Sequence, residues 1–378
     1  MNILIAQSFL EEKEITGISV YVSNLVAALK DRMNITILTL LPTREKAPEG
    51  VDEYDKENVH YMELSTSVSA ELPKLSHGPV SWWIGANLSV VKHWQHIAEY
   101  IRQQHIDIVH LQDCFVASLI ELCEQTNTKV VTTIHAVHPS PAHFGEALRH
   151  YQMAHSAAII VVSRWMKDAI VSRNPIVEPE KLHVIYNGVQ VAPVAPKMRR
   201  FITFAGRLVE LKGVSTLLKA YARMVRLVEE APLLVIMGDG PDRERLMRLA
   251  NELGIAERVQ FRGEVSHDEV CETLAESLIH VVPSRTEALG LSALEGMALG
   301  AAVIASDIEG LREVVQDGVS GLLFTMDHEE ELAEKLVLVY NDVALHERLV
   351  EHAQNQVAKK FSWEAAGRQT ESIFESLV

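Results

Sequence analysis

The 378-residue sequence has three cysteines, Cys114, Cys123 and Cys271, and no C-x-x-C spacing among them. That excludes a disulfide framework and a cysteine zinc site and leaves buried free thiols in a reducing compartment as the reading. Long hydrophobic runs are missing, for no apolar stretch approaches the roughly eighteen residues that suggest a membrane span. The opening "MNILIAQSFLEEKE" has neither a basic leader nor an extended apolar core, so it reads as a first strand and not as a secretion signal, and a cytoplasmic location is expected. Basic charge is in deficit: 35 Lys and Arg face 51 Asp and Glu, a formal net charge of −16. This argues against nonspecific nucleic-acid binding and against docking on an anionic membrane.

What is present is apolar material for two cores, 48% of residues, arranged as strands alternating with helices. "NILIAQ", "NITILTL", "VHYMEL", "DIVHLQ", "KVVTTIHAV" and "AAIIVVS" are the strands of the first half, and "RFITFAG", "LLVIMGDG", "RVQFRGE", "LIHVVPS", "AVIASD" and "GLLFTM" those of the second. Near-continuous Val/Ile/Leu strands separated by helical patterns predict parallel sheets covered on both faces. Between the halves, "VQVAPVAPKMRR" has two prolines and no helical period, and reads as a linker. The expected fold is α/β, two doubly wound Rossmann-like domains facing across a cleft. The boundaries are 1–190, a linker at 191–200, 201–361, and a last helix at 362–378. Ligands of such domains sit at the carboxyl ends of the strands.

Four stretches of the second half carry candidate chemistry. In "AGRLVELKG" a strand ends at Ala205, and Gly206, Arg207 and Lys212 follow. Two cations there either clamp a diphosphate, Arg as a donor fork and Lys as a point charge, or are solvated turn residues. In "GDGPDRE", Gly238 and Gly240 make a tight strand-to-helix turn, but the third glycine of a dinucleotide fingerprint is missing. In "RVQFRGEV", Arg262 and Gly263 form a turn that either walls a base pocket or is nothing more. In "PSRTEALGLSALEGMALG" a helix is expected from near Gly290 to Gly300. Glu287 then lies in the loop before it and Glu295 inside it. A helix start offers free N–H groups and partial positive charge to a phosphate, while the alternative has Glu287 capping the helix and Glu295 facing water.

These motifs in this order, with "GVSGLLF" after them, resemble the retaining GT-B glycosyltransferases of family GT4, the glycosyl transferases group 1. The resemblance implies that Arg207 and Lys212 bind the donor diphosphate and that Glu287 holds donor-sugar hydroxyls. It implies that the backbone of Leu289, Gly290 and Leu291 faces phosphate or sugar, that Glu295 takes the ribose, and that Arg262 borders the base. The chain has no D-x-D, so a metal-held diphosphate is not indicated, and no cofactor is expected beyond the nucleotide sugar as co-substrate. Leu289, Ala302 and Glu309-Gly310 stand where the family usually has an aromatic, a proline and Gly-Gly, which leaves donor preference open.

In the first half, Gly17 precedes a helix, and Glu11, Glu12 and Glu14 lie just before it, solvated or attracting a cationic acceptor. His110, Asp113, His135 and His138 follow two strand ends. His135 resembles the family histidine that contacts the donor sugar, and Gly17, Asp113 and His138 are loop or acceptor candidates. Trp82, Trp83 and Trp94 sit in a segment poor in cations, which favours core packing or an apolar acceptor wall over membrane contact. Taken together, the expected function is transfer of a hexose or N-acetylhexosamine from a nucleotide diphosphate sugar, UDP-linked or alternatively GDP-mannose, to an acceptor hydroxyl with retention. The acceptor is a small aminocyclitol-type molecule or a lipid or polysaccharide intermediate. A nucleotide-sugar 2-epimerase and a non-catalytic sugar-nucleotide binding protein are the rival classes.

Overall fold

A computed structural model describes residues 1–8, 17–43, 50–67, 79–112, 116–135, 144–174, 176–189 and 198–378. Contacts gather the chain into two units, Met1–Ile185 with Ala366–Val378, and Tyr186–Ala365.

The first unit is built on strands β1 (Asn2–Ser8), β2 (Asn34–Thr43), β3 (Gly50–Lys56), β4 (Val59–Ser67), β5 (Ile108–Gln112), β6 (Lys129–Ile134), β7 (Ala158–Val161) and β8 (Leu182–Val184). Their spatial order is β3-β4-β2-β1-β5-β6-β7-β8. All adjacent pairs are parallel except β3–β4. Every position of β5 and β7 is buried; β7 reads as an unbroken apolar run, whereas β5 also buries the polar His110 and Gln112. Of the antiparallel edge hairpin, β4 is the expected strand "VHYMEL", whereas β3 was not among the strands expected from the sequence. Its outer strand "GVDEYDK" is charged, and its turn uses Glu57 and Asn58 at φ 51° and 65°. Tyr54 and Tyr61 are register partners whose rings stack at 5.0 Å, and Asp52, Glu53 and Asp55 leave the edge charged, which discourages further strand addition. Helix residues after Ala366 pack into this unit: Gly367 lies close against Ala28, Arg32 pairs with Glu371 at 2.7 Å, and Phe374 is fully buried beside His110.

The second unit holds β9 (Phe201–Ala205), β10 (Leu233–Met237), β11 (Val259–Gly263), β12 (Ser277–Val282), β13 (Ala302–Ser306) and β14 (Leu322–Phe324), in the order β11-β10-β9-β12-β13-β14, all parallel. One face carries a large core in which Ile202, Phe204, Ile236 and Ile279 meet Leu217, Tyr221 and Leu336. The other carries a smaller one around Phe201, Val235, Met237, Leu274 and Leu299. From β9 the chain winds outward through β10 to β11; it then returns to β12 on the other side of β9 and winds the opposite way. The boundary between β9 and β12 is therefore a topological switch point, where the loops leaving adjacent strands diverge and open a crevice for ligand.

Candidate functional site

The loops leaving β9 and β12 hold the charged residues singled out above. Gly206 follows β9 at φ 154°, its N–H donating to Met237 O at 3.0 Å. A Cβ on Gly238 (φ 128°) would meet Gly206 O at 2.0 Å, so the turns after β9 and β10 touch backbone to backbone. Leu208 is buried, donates to Asp239 O at 2.8 Å, and its carbonyl lies where a Cβ on Gly240 would stand. With Gly206 and Leu208 pinned on either side, Arg207 is exposed and has no ion pair or side-chain hydrogen bond among the described residues.

A single 3-10 turn, Glu210–Lys212, then leads to Gly213 at φ 65°. A Cβ at Gly213 would stand 1.9 Å from Pro283 O, so glycine here lets the β9 loop lie directly on the β12 loop. Arg285 locks the two together: its N–H donates to Leu211 O at 2.8 Å, and its guanidinium reaches Glu210 and Asp327, each at 2.8 Å. This clasp carried no signal in the sequence beyond an arginine in a loop, because its partners lie 42 and 75 residues away.

Beside the clasp, Lys212 Nζ donates to Glu287 Oε1 at 2.5 Å, and Ser284 Oγ donates to the same oxygen at 2.8 Å. Both charges are partly exposed. Glu287 Oε2 has no partner among the described residues, and an ammonium has three donors, so each member keeps capacity for a ligand. Gly310 lies beneath the loop, where a Cβ would stand 2.1 Å from Glu287 O. Glu309 next to it is exposed.

The helix Leu291–Ala298 starts at Gly290, which is left-handed at φ 86° and packs against Leu311. Leu289 is 2% exposed and anchors the loop, and Leu291 is exposed at the helix start. Ala293 and Leu294 donate back to Gly290 O, whereas the N–H groups of Leu291 and Ser292 have no backbone acceptor among the described residues. Glu295 is partly buried and has no side-chain hydrogen bond among the described residues; burial raises its pKa, with His267 pulling the other way. Arg262 is committed elsewhere, donating to Thr273 Oγ1 at 2.9 Å with Glu269 at 3.9 Å.

In the first unit Gly17 opens the helix Gly17–Leu29. His135 Nε2 pairs with Gln112 Oε1 at 3.0 Å, its ring meets Tyr21 edge-on at 4.5 Å, and burial lowers its pKa to about 4. His110 is fully buried, bonded to Thr133 Oγ1 at 2.7 Å, and burial with His135 nearby lowers its pKa to about 3. Asp113, His138, Cys114 and the three glutamates before Gly17 lie outside the described residues. Cys123 is a buried free thiol and Cys271 a partly buried one. No helix among the described residues is long and apolar enough to cross a membrane.

Comparison with known proteins bears on the family and the fold. Residues 190–356 match the glycosyl transferases group 1 family, and residues 15–192 match Glycosyltransferase Family 4. The alpha-D-kanosaminyltransferase of Streptomyces kanamyceticus is 31% identical over 179 residues, 47% of this chain and 46% of that one. The D-inositol 3-phosphate glycosyltransferase of a Nocardioides species is 32% identical over 224 residues, 52% and 49% of the two chains. The chain thus spans about half the length of these relatives. Among solved structures, Anabaena HepE in complex with UDP and glucose superposes with a TM-score of 0.75 at 18% identity over 100% of both chains, which shows a shared fold.

Proposed function

We propose that this chain, a GT-B protein of the family 4, group 1 glycosyltransferases, transfers a hexosyl or N-acetylhexosaminyl group from a UDP-linked donor to an acceptor hydroxyl with retention of configuration. The observation that carries the reading is the Lys212–Glu287 pair at the switch point, flanked by Arg207, which has no side-chain partner among the described residues, and by the N–H groups of Leu291 and Ser292, which have no backbone acceptor among them. A diphosphate set there meets two cations and a helix start. Glu287 Oε2 is the free acceptor for a donor-sugar hydroxyl, and Glu295, one helical turn and more into the helix, is the acceptor for the two ribose hydroxyls. UDP as the nucleotide is supported by the HepE neighbour, which is solved with it.

In this reading Glu287 and Glu295 both have binding roles, and neither serves as a covalent nucleophile. Retention then proceeds by attack on the donor face from which phosphate leaves. The acceptor C–O bond forms at the anomeric carbon as its bond to phosphate oxygen breaks, and the acceptor proton passes to that departing oxygen. Arg207 and Lys212 balance the charge that develops on it. No step uses a metal. For the acceptor, a small cyclitol-type molecule is favoured by the Nocardioides relative, whose name specifies an inositol phosphate.

Thermal denaturation with added nucleotides tests the donor site. A ligand at about 100 times its Kd stabilises by ~2.7 kcal/mol. A rise with UDP and none with GDP is expected; no rise with either overturns the reading. Product anomeric configuration by NMR then tests retention.

A further inference from the structure

A line of buried polar groups crosses the switch point directly beneath the candidate donor site. Thr203 on β9 and His280 on β12 are register partners, both fully buried, on the sheet face that carries the smaller apolar core. Thr203 Oγ1 lies 2.8 Å from Ser277 Oγ and 3.0 Å from His280 Nδ1. His280 Nε2 lies 2.8 Å from Ser292 Oγ, and Ser292 Oγ is 3.0 Å from Ala205 O, the last residue of β9 before Gly206 and Arg207. Ser277 Oγ closes the other end on Ile279 O at 2.9 Å. The imidazole also sets the height of the helix, since a Cβ on Gly296 would stand 2.8 Å from His280 Cδ2.

Burial lowers the His280 pKa to about 4, so the ring is neutral at pH 7 and carries one proton. With Ser277 Oγ also 3.4 Å from Phe201 O, three hydroxyls and one neutral imidazole bring four protons to six contacts, so two contacts always lack a proton of their own. If Nε2 carries the proton, it donates to Ser292 Oγ, and Ser292 is free to donate to Ala205 O. In the other tautomer Ser292 has one proton for two acceptors: donating to Nε2 loses the bond to Ala205 O, and donating to Ala205 O leaves the Nε2 contact without a proton. Only the Nε2–H tautomer therefore satisfies both contacts of Ser292 at once and ties the first turn of the helix Leu291–Ala298 to β9 and β12 together.

We propose that His280 is a positioning residue for the nucleotide site: with its proton on Nε2, it directs Ser292 onto Ala205 O and so fixes the helix start bearing the Leu291 and Ser292 N–H groups against the loop bearing Arg207. This rests on the reading of that helix start as the donor diphosphate site. In this reading His280 touches no reacting atom; it acts through Ser292, whose hydroxyl contacts His280 and Ala205 O while its N–H has no backbone acceptor among the described residues.

The test compares UDP binding, or GDP binding if only that nucleotide binds, by calorimetry for the wild type, Ser292→Ala and Ser292→Thr, with the thermal midpoint of each. Expected are a roughly 5- to 30-fold weaker affinity for Ser292→Ala at a midpoint within a few degrees of wild type, and recovery of most of that affinity in Ser292→Thr, which restores the hydroxyl. Nitrogen-15 NMR of the His280 ring, which does not depend on a variant folding, should show Nε2 protonated and its resonance moving when nucleotide saturates the protein. Ser292→Ala binding as tightly as a wild type that does bind, or a ring protonated on Nδ1, overturns the inference and leaves the donor-site reading standing. A wild type that binds neither nucleotide overturns both.

Discussion

Lys212 and Glu287 are 75 residues apart in sequence and 2.5 Å apart in space, joined across the point where the second sheet reverses its winding. Ser284 shares the same carboxylate oxygen at 2.8 Å. Replacing Glu287 with Gln keeps the shape and removes the charge. Losing a charge-assisted contact of about 1.5–3 kcal/mol should lower kcat/KM for the donor by roughly 10- to 100-fold. Steady-state kinetics, or donor hydrolysis where no acceptor is in hand, measures it. An unchanged kcat/KM would remove Glu287 from the site.

Arg207 offers the opposite balance between folding and binding. It is exposed and without a partner among the described residues, so Arg207→Ala should leave the unfolding free energy within about 0.5 kcal/mol of wild type. Nucleotide diphosphate affinity should nonetheless fall by roughly 10-fold or more, with a smaller loss for the monophosphate. Calorimetric titration with UDP and UMP separates the two; equal losses would place Arg207 away from the outer phosphate.

Gly213 is where the two site loops touch. Its φ of 65° is strained for any other residue, and a Cβ would stand 1.9 Å from Pro283 O. Gly213→Ala should cost about 2 kcal/mol or more, because the left-handed conformation alone costs about 1–2 kcal/mol and the clash adds to it. Urea denaturation reads the loss, and a variant as stable as wild type would show that the loops can separate freely.

Stability should fall as the solution is acidified from pH 7. His110, His135 and His280 are held neutral by burial, with pKa values lowered to about 3, 4 and 4 from 6.5. Between about pH 6.5 and 4 the unfolded chain takes up protons that the folded protein refuses, so each histidine contributes a loss approaching 1.4 kcal/mol per pH unit. Glu295 works the other way: its raised pKa makes the folded state bind a proton more readily than the unfolded one, which favours folding as pH falls. Three histidines outweigh one carboxylate, so the urea midpoint at pH 5.5 should lie below that at pH 7.5. An equal or higher midpoint at pH 5.5 would mean that these rings are not buried in neutral form.

Legibility in the sequence followed the range of the interactions. Near-continuous apolar runs such as "AIIV" and "AVIAS" announce strands buried on both faces, and the residues just after them must lie at a sheet edge. That is why Arg207, Lys212 and Glu287 could be picked out before any coordinates. Arg262 shows the limit: a strand end placed it near the site, but its guanidinium is turned to Thr273 and Glu269. Strand β3 was missed, though its partner β4 was expected, because this outer strand is charged and lacks the apolar pattern of the others.

By itself the sequence determined two doubly wound halves, the order of their strands along the chain, and the loops in which charge collects, because periodicity, glycine placement and strand ends are local properties. Tertiary structure alone decided that Lys212 meets Glu287, that Arg285 clasps the two loops, and that His280 faces Thr203. These depend on β9 and β12 lying side by side in a fixed register, 77 residues separating the last pair. That adjacency arises from the reversal of winding and from burial of both sheet faces, which no short stretch of sequence records.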